Sequence, residues 1–336
     1  EEVEDLRMAN VVLYDDGSID RAPHDPPPVP ACLEPPSSLQ ASTLDLPLNH
    51  AKGTYLRLFK PPLHHRLPLL LYFHGGGFIF GSTTLPADHN FLCKLAVLAP
   101  ALIVSVEYRL APEHPLPSAY EDCIEALLWI HKQVLLGEHA SHPWLSRYAD
   151  FSNCFLGGDS AGTNIAHHVA MWAATGLGFQ RGSKDLGSAS AGWCPVDADT
   201  CAPAMEGLCV RGVILIHPYF TCGEETYSKG EATAWKFAGV NTDHPFSNPL
   251  MAGVPSLAGA ELPCYLVAVA SDDMFAKRGL AFHKGLVDAG KMSKLFISQG
   301  EPHVFHILTP DSKNVPEFLD ELCAFIKGGL NETPII

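Results

Sequence analysis

The chain has 336 residues, 47% of them hydrophobic and 18% charged, enough apolar content to bury a sizeable core. Its 22 Lys and Arg stand against 37 Asp and Glu, and the net charge of −15 speaks against nucleic acid or an anionic membrane surface as partner. No apolar run is long enough to span a bilayer.

The opening E-E-V-E-D-L-R carries neither a basic-then-apolar leader nor an initiator Met. A cytoplasmic location with reduced thiols is therefore the expectation, and a removed leader stays open. Residues 1–50 contain Pro23, Pro26, Pro27, Pro28, Pro30, Pro35 and Pro36 and cannot form one long regular element. Apolar anchors at 11–14 and 45–48 suggest a segment held on the body rather than a trailing arm. Apolar runs at 69–73, 102–108, 153–157, 213–217, 264–270 and 294–298 read as strands, alternating with helical stretches such as 163–172 and 275–289. That alternation predicts an α/β fold of one domain with a mostly parallel, doubly wound sheet. Segment 181–209, rich in Gly, Ser and Ala, reads as a mobile loop insertion.

Two glycine-rich motifs follow predicted strands. After 69–73 comes His74-Gly75-Gly76-Gly77-Phe78. It is either a plain turn or a loop whose amides face a ligand, because glycine lets the main chain come close. After 153–157 comes Gly158-Asp159-Ser160-Ala161-Gly162, and a helical stretch follows. Gly-x-Ser-x-Gly between strand and helix is the pattern of a nucleophile elbow, with Ser160 pushed out at the turn. The pair together favours acyl transfer: Ser160 attacks, and the amides of Gly75, Gly76 and Ala161 hold the negative charge on the carbonyl oxygen. Gly77 could replace one of the two loop glycines. Asp159, beside the nucleophile, is expected to hydrogen-bond the turn.

A base and its orienting acid should come later in the chain, acid first. Ser271-Asp272-Asp273 ends the run 264–270, and His303 follows the run 294–298. His303 is the expected base, and His306 is expected to pack or cap. Asp273 is the expected acid, with Asp272 as the second choice.

The ten cysteines show no C-x-x-C pair. Cys32, Cys93, Cys123, Cys154 and Cys264 lie in or beside apolar stretches and read as small hydrophobes. Cys194, Cys201, Cys209 and Cys222 lie closer together, yet reduced thiols are the default for them too. His64-His65 and His167-His168 could evoke a metal, but adjacent helical residues point apart and no carboxylate or Cys sits at ligand spacing. No metal and no cofactor is expected. G-x-x-x-x-G-K is missing, and G-G-D-S-A-G lacks the acidic follower of a dinucleotide fingerprint.

HGGGF at 74–78, VEYRLAPEHPLPSAYED at 106–122, FLGGDSAGTNIAHH at 155–168, LIHPYF at 215–220, DHPFSNPL at 243–250 and GEPHVFH at 300–306 run in one order over nearly the whole chain. With these the chain resembles the plant carboxylesterases of the hormone-sensitive-lipase group of α/β-hydrolases. The resemblance implies an α/β-hydrolase fold with a helical cap partly from the N-terminal segment. It places the acid at Asp273 within VAVASDDMFAKRG at 267–279, with Lys277 where the family usually carries a second acid. It also implies that Tyr108-Arg109 and Glu113-His114 brace the glycine loop.

The implied activity is hydrolysis of small to medium carboxylic esters, without cofactor. A dehydratase or intramolecular acyl transferase on a plant metabolite is the alternative, as in hydroxyisoflavanone dehydratases and tuliposide-converting enzymes. Gibberellin receptors share the framework but typically lose the histidine that stands here as His303. Phe78, Ile79, Tyr219, Phe246, Phe220 and Trp235 are the candidates for lining the pocket, each of which could equally be core.

Overall fold

A computed structural model describes residues 4–6, 11–14, 18–37, 40–140, 142–179, 193–195, 205–223 and 227–328. Its centre is an eight-stranded sheet. In chain order the strands are β1 (Ser42–Asn49), β2 (Thr54–Lys60), β3 (Leu67–Phe73), β4 (Leu102–Glu107), β5 (Ala149–Asp159), β6 (Val210–Ile216), β7 (Cys264–Ala270) and β8 (Ser293–Ser298). They lie in the order β8-β7-β6-β5-β3-β4-β2-β1. Neighbours from β8 to β4 pair in parallel, while β2 runs against both β4 and β1.

Strand periodicity divides the core. In β3, Leu67, Leu69, Leu71 and Phe73 enter one apolar cluster, and Leu70 and Tyr72 enter the other. In β7, Tyr265, Val267 and Val269 face one way, and Leu266, Ala268 and Ala270 the other. A parallel sheet covered on both faces needs such unbroken apolar runs, and a slip of one residue would exchange the two sets. Helices α2 (Ser118–Leu136), α3 (Ala161–Thr175) and α5 (Ala276–Asp288) contribute to the first cluster, and α1 (Pro86–Leu98) and α6 (Val315–Gly328) to the second. Each fully buried large side chain contributes about 1.5–3 kcal/mol. None of the described helices is long and apolar enough to cross a membrane.

The N-terminal segment differs from the helical cap expected. Its described stretches Glu4–Leu6, Val11–Leu13 and Ile19–Arg21 form a three-stranded antiparallel sheet, and residues 42–49 are the edge strand β1. The run from Pro23 to Pro36 lies between these three strands and β1, where the described residues form no regular element, because each Pro fixes φ and removes a ladder donor. Val11 packs against Ile79, Ala111 and Phe237, so the small sheet is anchored over the glycine loop. The helix above that loop comes from later in the chain, α4 (Lys229–Phe237). Of the segment expected to be a mobile insertion, residues 181–192 and 196–204 lie outside the described residues. Trp193–Pro195 pairs with Leu177–Phe179.

Candidate active site

Every side chain singled out for chemistry follows the C-terminal end of a parallel strand, where open α/β sheets place ligands. β5 ends at Asp159 and α3 begins at Ala161, leaving Ser160 alone to make the turn. Its φ of 48° lies in the left-handed region that side chains avoid. The turn persists because Gly158 and Gly162, two residues to either side, have no side chains: a Cβ on either would overlap the Phe73 carbonyl oxygen. The Ser160 amide donates to the Ile216 carbonyl at 2.9 Å, fastening the turn to β6.

His303 and Asp273 converge on this serine. His303 Nε2 lies 2.9 Å from Ser160 Oγ, and His303 Nδ1 lies 2.7 Å from Asp273 Oδ2. The Asp273 side chain is 1% exposed, and its other oxygen accepts the Phe275 amide at 2.8 Å. Asp272 is exposed and bonds its neighbour Ser271 instead. The Phe275 ring stands edge-on to His303, centroids 4.9 Å apart. His306 is buried against Phe91 and Phe318, the packing role expected of it. The arrangement can carry a proton from a serine hydroxyl to an imidazole whose tautomer a carboxylate fixes.

The glycine loop corrects one expectation. The Gly75 amide donates to Asp159 Oδ1 at 3.1 Å, so it is spent inside the protein and cannot serve a substrate. The amides of Gly76 and Gly77 have no acceptor among the described residues. Both glycines have positive φ, 109° and 61°, and a Cβ on Gly76 would strike the Phe80 carbonyl. Of the loop glycines, Gly76 and Gly77 rather than Gly75 are therefore the ones whose amides are left for another acceptor. Ala161 is the first residue of α3, where the helix dipole adds to its amide.

Asp159 is expected to hydrogen-bond its own turn, but its carboxylate bonds the glycine loop, through the Gly75 amide. Its carboxylate also accepts Tyr72 Oη at 2.8 Å, and burial pushes its pKa up to about 6. Tyr108 stacks on His74 with centroids 4.2 Å apart and donates to the His74 carbonyl at 2.8 Å. Burial lowers the His74 pKa to about 4, so the ring is neutral. Arg109 does not touch the loop but forks onto Asp122 of α2 at 2.8 Å. Glu113 reaches the loop indirectly, through Arg21, whose guanidinium donates to the carbonyls of Ile79 and Ala111.

The candidates for the pocket lining are packed into the body of the protein. Phe78, Ile79, Tyr219, Phe220, Trp235 and Phe246 are all buried. Phe246 stands edge-on to Tyr120, with His168 also beside it, in the core under α3. Phe220 packs on Phe282 and His167. The rings that lead to His303 form a chain: Trp235 stacks on Tyr219 at 4.6 Å, Tyr219 meets Phe275 at 5.1 Å, and Phe275 meets His303. Phe275 escaped the sequence reading, although its place two residues after the acid could have pointed to it. Exposed Met274 lies between them.

Among the described residues the one group of three possible metal ligands is His217, Asp273 and His303, with donor atoms within 4.8 Å of one another. His217 Nδ1 already accepts the Val304 amide at 2.8 Å, and Asp273 and His303 hold each other. A cation would have to displace these bonds. Neither His64-His65 nor His167-His168 belongs to such a group. Cys123 and Cys154 are buried as small hydrophobes, whereas Cys32 is exposed.

A family model described as alpha/beta hydrolase fold matches residues 70–307. Tuliposide A-converting enzyme 1, chloroplastic, of Tulipa gesneriana is 33% identical over 335 residues, covering 95% of this chain and 76% of that one. Probable carboxylesterase 1 of Arabidopsis thaliana is 33% identical over 315 residues, covering 89% and 90%. Among solved structures, a Pyrobaculum calidifontis esterase superposes with a TM-score of 0.62 at 25% identity, covering 86% of this chain and 84% of that one. Fold, motif order and sequence similarity agree: the chain belongs to the α/β-hydrolase family.

Proposed function

We propose that the chain is a serine carboxylesterase acting on small to medium carboxylic esters. The observation that carries this reading is the unbroken line Ser160 Oγ, His303 Nε2, His303 Nδ1 and Asp273 Oδ2, at 2.9 and 2.7 Å. Ser160 Oγ attacks the acyl carbon as its proton passes to His303 Nε2. The carbonyl oxygen becomes an anion that the amides of Gly76, Gly77 and Ala161 hold, each such donor being worth roughly 3–4 kcal/mol in related chemistry. Collapse breaks the ester C–O bond, and the leaving alcohol takes the proton from His303. Water then repeats the sequence on the acyl-serine and releases the acid. Asp273 stays ionised and steadies the imidazolium. No step calls for a cofactor.

A fluorophosphonate probe tests the assignment. Mass spectrometry should find the adduct on Ser160, and a C2 to C16 series of p-nitrophenyl esters should be cleaved best at its short end. Absence of both labelling and turnover would overturn the reading.

Similarity to a tuliposide A-converting enzyme across 95% of the chain favours a second outcome of the same acyl-serine. In it, a second hydroxyl of the substrate captures the acyl group in place of water. A free acid identifies hydrolysis, and an isomer of the substrate or a lactone one water lighter than the acid identifies transfer. An elimination instead of acyl chemistry would survive Ser160→Ala. A binding-only role is disfavoured by His303 standing in hydrogen-bond contact with Ser160.

A further inference from the structure

His217 follows directly after β6, in a motif that the triad does not use. It is 1% exposed and has a φ of 54°, a left-handed conformation for a residue that is not glycine. Its own amide donates to the Ala268 carbonyl at 2.8 Å, which ties it to β7. Its ring is packed in place: Phe318 lies nearly parallel at 6.2 Å, with Phe305 at 5.6 Å and His306 at 5.4 Å. The one hydrogen bond found for the ring among the described residues is the Val304 amide, donating to Nδ1 at 2.8 Å.

Val304 is the neighbour of His303, and it too is left-handed, with φ 47°. A β-branched residue in that region is an outlier that persists only where its surroundings hold it. The His217 and His303 rings are 5.9 Å apart, centroid to centroid. Besides the direct electrostatic effect of one ring on the other, the bond at 304 links them through the backbone.

We propose that His217 is a positioning residue for His303: its Nδ1 holds the Val304 amide, fixes the turn at 303–304, and so aims His303 Nε2 at Ser160. The proposal rests on the reading of Ser160, His303 and Asp273 as a hydrolytic triad. Burial keeps the His217 ring neutral, with its pKa well below the usual imidazole range. A neutral ring that accepts at Nδ1 carries its proton on Nε2. Remove the acceptor, and the Val304 amide loses its partner. The peptide at 303–304 can then leave its unfavourable conformation. Rotation there moves the His303 side chain, and a displacement of about 1 Å at a reacting group can cost about 100-fold in rate.

Two substitutions separate the acceptor from the bulk of the ring. His217→Phe keeps an aromatic ring among Phe318, Phe305 and His306 but accepts nothing. His217→Asn places Oδ1 where Nδ1 stands, and Asn tolerates left-handed backbone better than most residues. The measurements are kcat and KM on a p-nitrophenyl ester, with active sites counted by a phosphonate titrant, and the far-downfield proton resonance of His303 Nδ1–H bonded to Asp273.

H217F should lose about 100-fold in kcat with KM little changed, and its downfield resonance should broaden or vanish. H217N should recover kcat to within about fivefold and keep the resonance, even if its smaller side chain lowers Tm. The proposal is overturned if folded H217F keeps kcat within about threefold, or if H217N falls as far as H217F. Should H217F not fold, amide exchange in the unaltered protein decides. A Val304 amide protected from exchange supports the bond, and one exchanging at the rate of a free loop overturns the proposal. The resonance and the exchange rate do not depend on ester turnover. If the unaltered protein cleaves no ester, the hydrolase reading fails, and these two still decide what His217 does.

Discussion

At the residue scale, the sequence offered two adjacent aspartates and the fold chose between them. Asp273 turns inward, 1% exposed, and bonds His303, while Asp272 faces solvent. Asp273→Asn should leave the fold intact but present the wrong imidazole tautomer to Ser160, lowering kcat by about 10⁴-fold. Asp272→Asn should change it by less than about twofold, as expected of an exposed side chain off the reaction path. Parallel kcat measurements, with circular dichroism to verify folding, check both. Ser160, His303 and the pair of candidate acids were legible because each sits in a short motif just past an apolar run. The choice among Gly75, Gly76 and Gly77 was not. Amide direction depends on φ and ψ, and the bond that occupies Gly75 comes from Asp159, a residue 84 positions away. His217 escaped for a similar reason, since its partner at 304 is 87 positions distant.

At the element scale, the parallel strands were legible because burial on both faces demands continuous apolar runs. β2 was not, because T-Y-L-R-L-F-K carries Arg57 and Lys60, both buried. Arg57 is tolerated there because Asp45, its partner across the strand pair, takes its guanidinium through two bonds of 2.7 Å. A charge compensated from another strand looks, in sequence, like a break in the strand. The strand-to-helix turn makes a sharper demand. Gly162→Ala would drive a methyl group into the Phe73 carbonyl, which is main chain of the central β3 and cannot move aside. It should destabilise the protein by at least about 3 kcal/mol or prevent folding, the upper end of what overpacking costs. The urea midpoint measures it. Gly230→Ala, at a helical position with open space around it, is the control and should be neutral or slightly stabilising.

At the scale of the whole molecule, buried and half-buried histidines set the response to acid. Burial lowers the pKa of His74, His89, His142, His167, His168, His217, His244, His283 and His306. For each, the unfolded chain takes up a proton near pH 6.5, while the fold refuses it until about pH 4 in the case of His74. Their stability contribution is present above pH 6.5 and is lost as pH falls through that window. Asp88, Glu107 and Asp159 have the opposite sign. Burial raises them, Glu107 to about 7, so they favour the fold at low pH and cost stability as pH rises. The histidines outnumber these acids, so stability should fall on acidification from pH 7 to pH 5. Urea unfolding at the two values checks it, and equal or greater stability at pH 5 would contradict the balance drawn here.

In the proposed mechanism Ser160 is acylated by an ester and then deacylated by water. Rapid mixing of the protein with excess p-nitrophenyl acetate tests it most directly. A fast release of about one equivalent of p-nitrophenolate is expected, with an acetyl group on Ser160 in acid-quenched samples and loss of both in Ser160→Ala. Steady turnover of the ester by Ser160→Ala at the rate of the unaltered protein, with no acyl group found on Ser160, would contradict it.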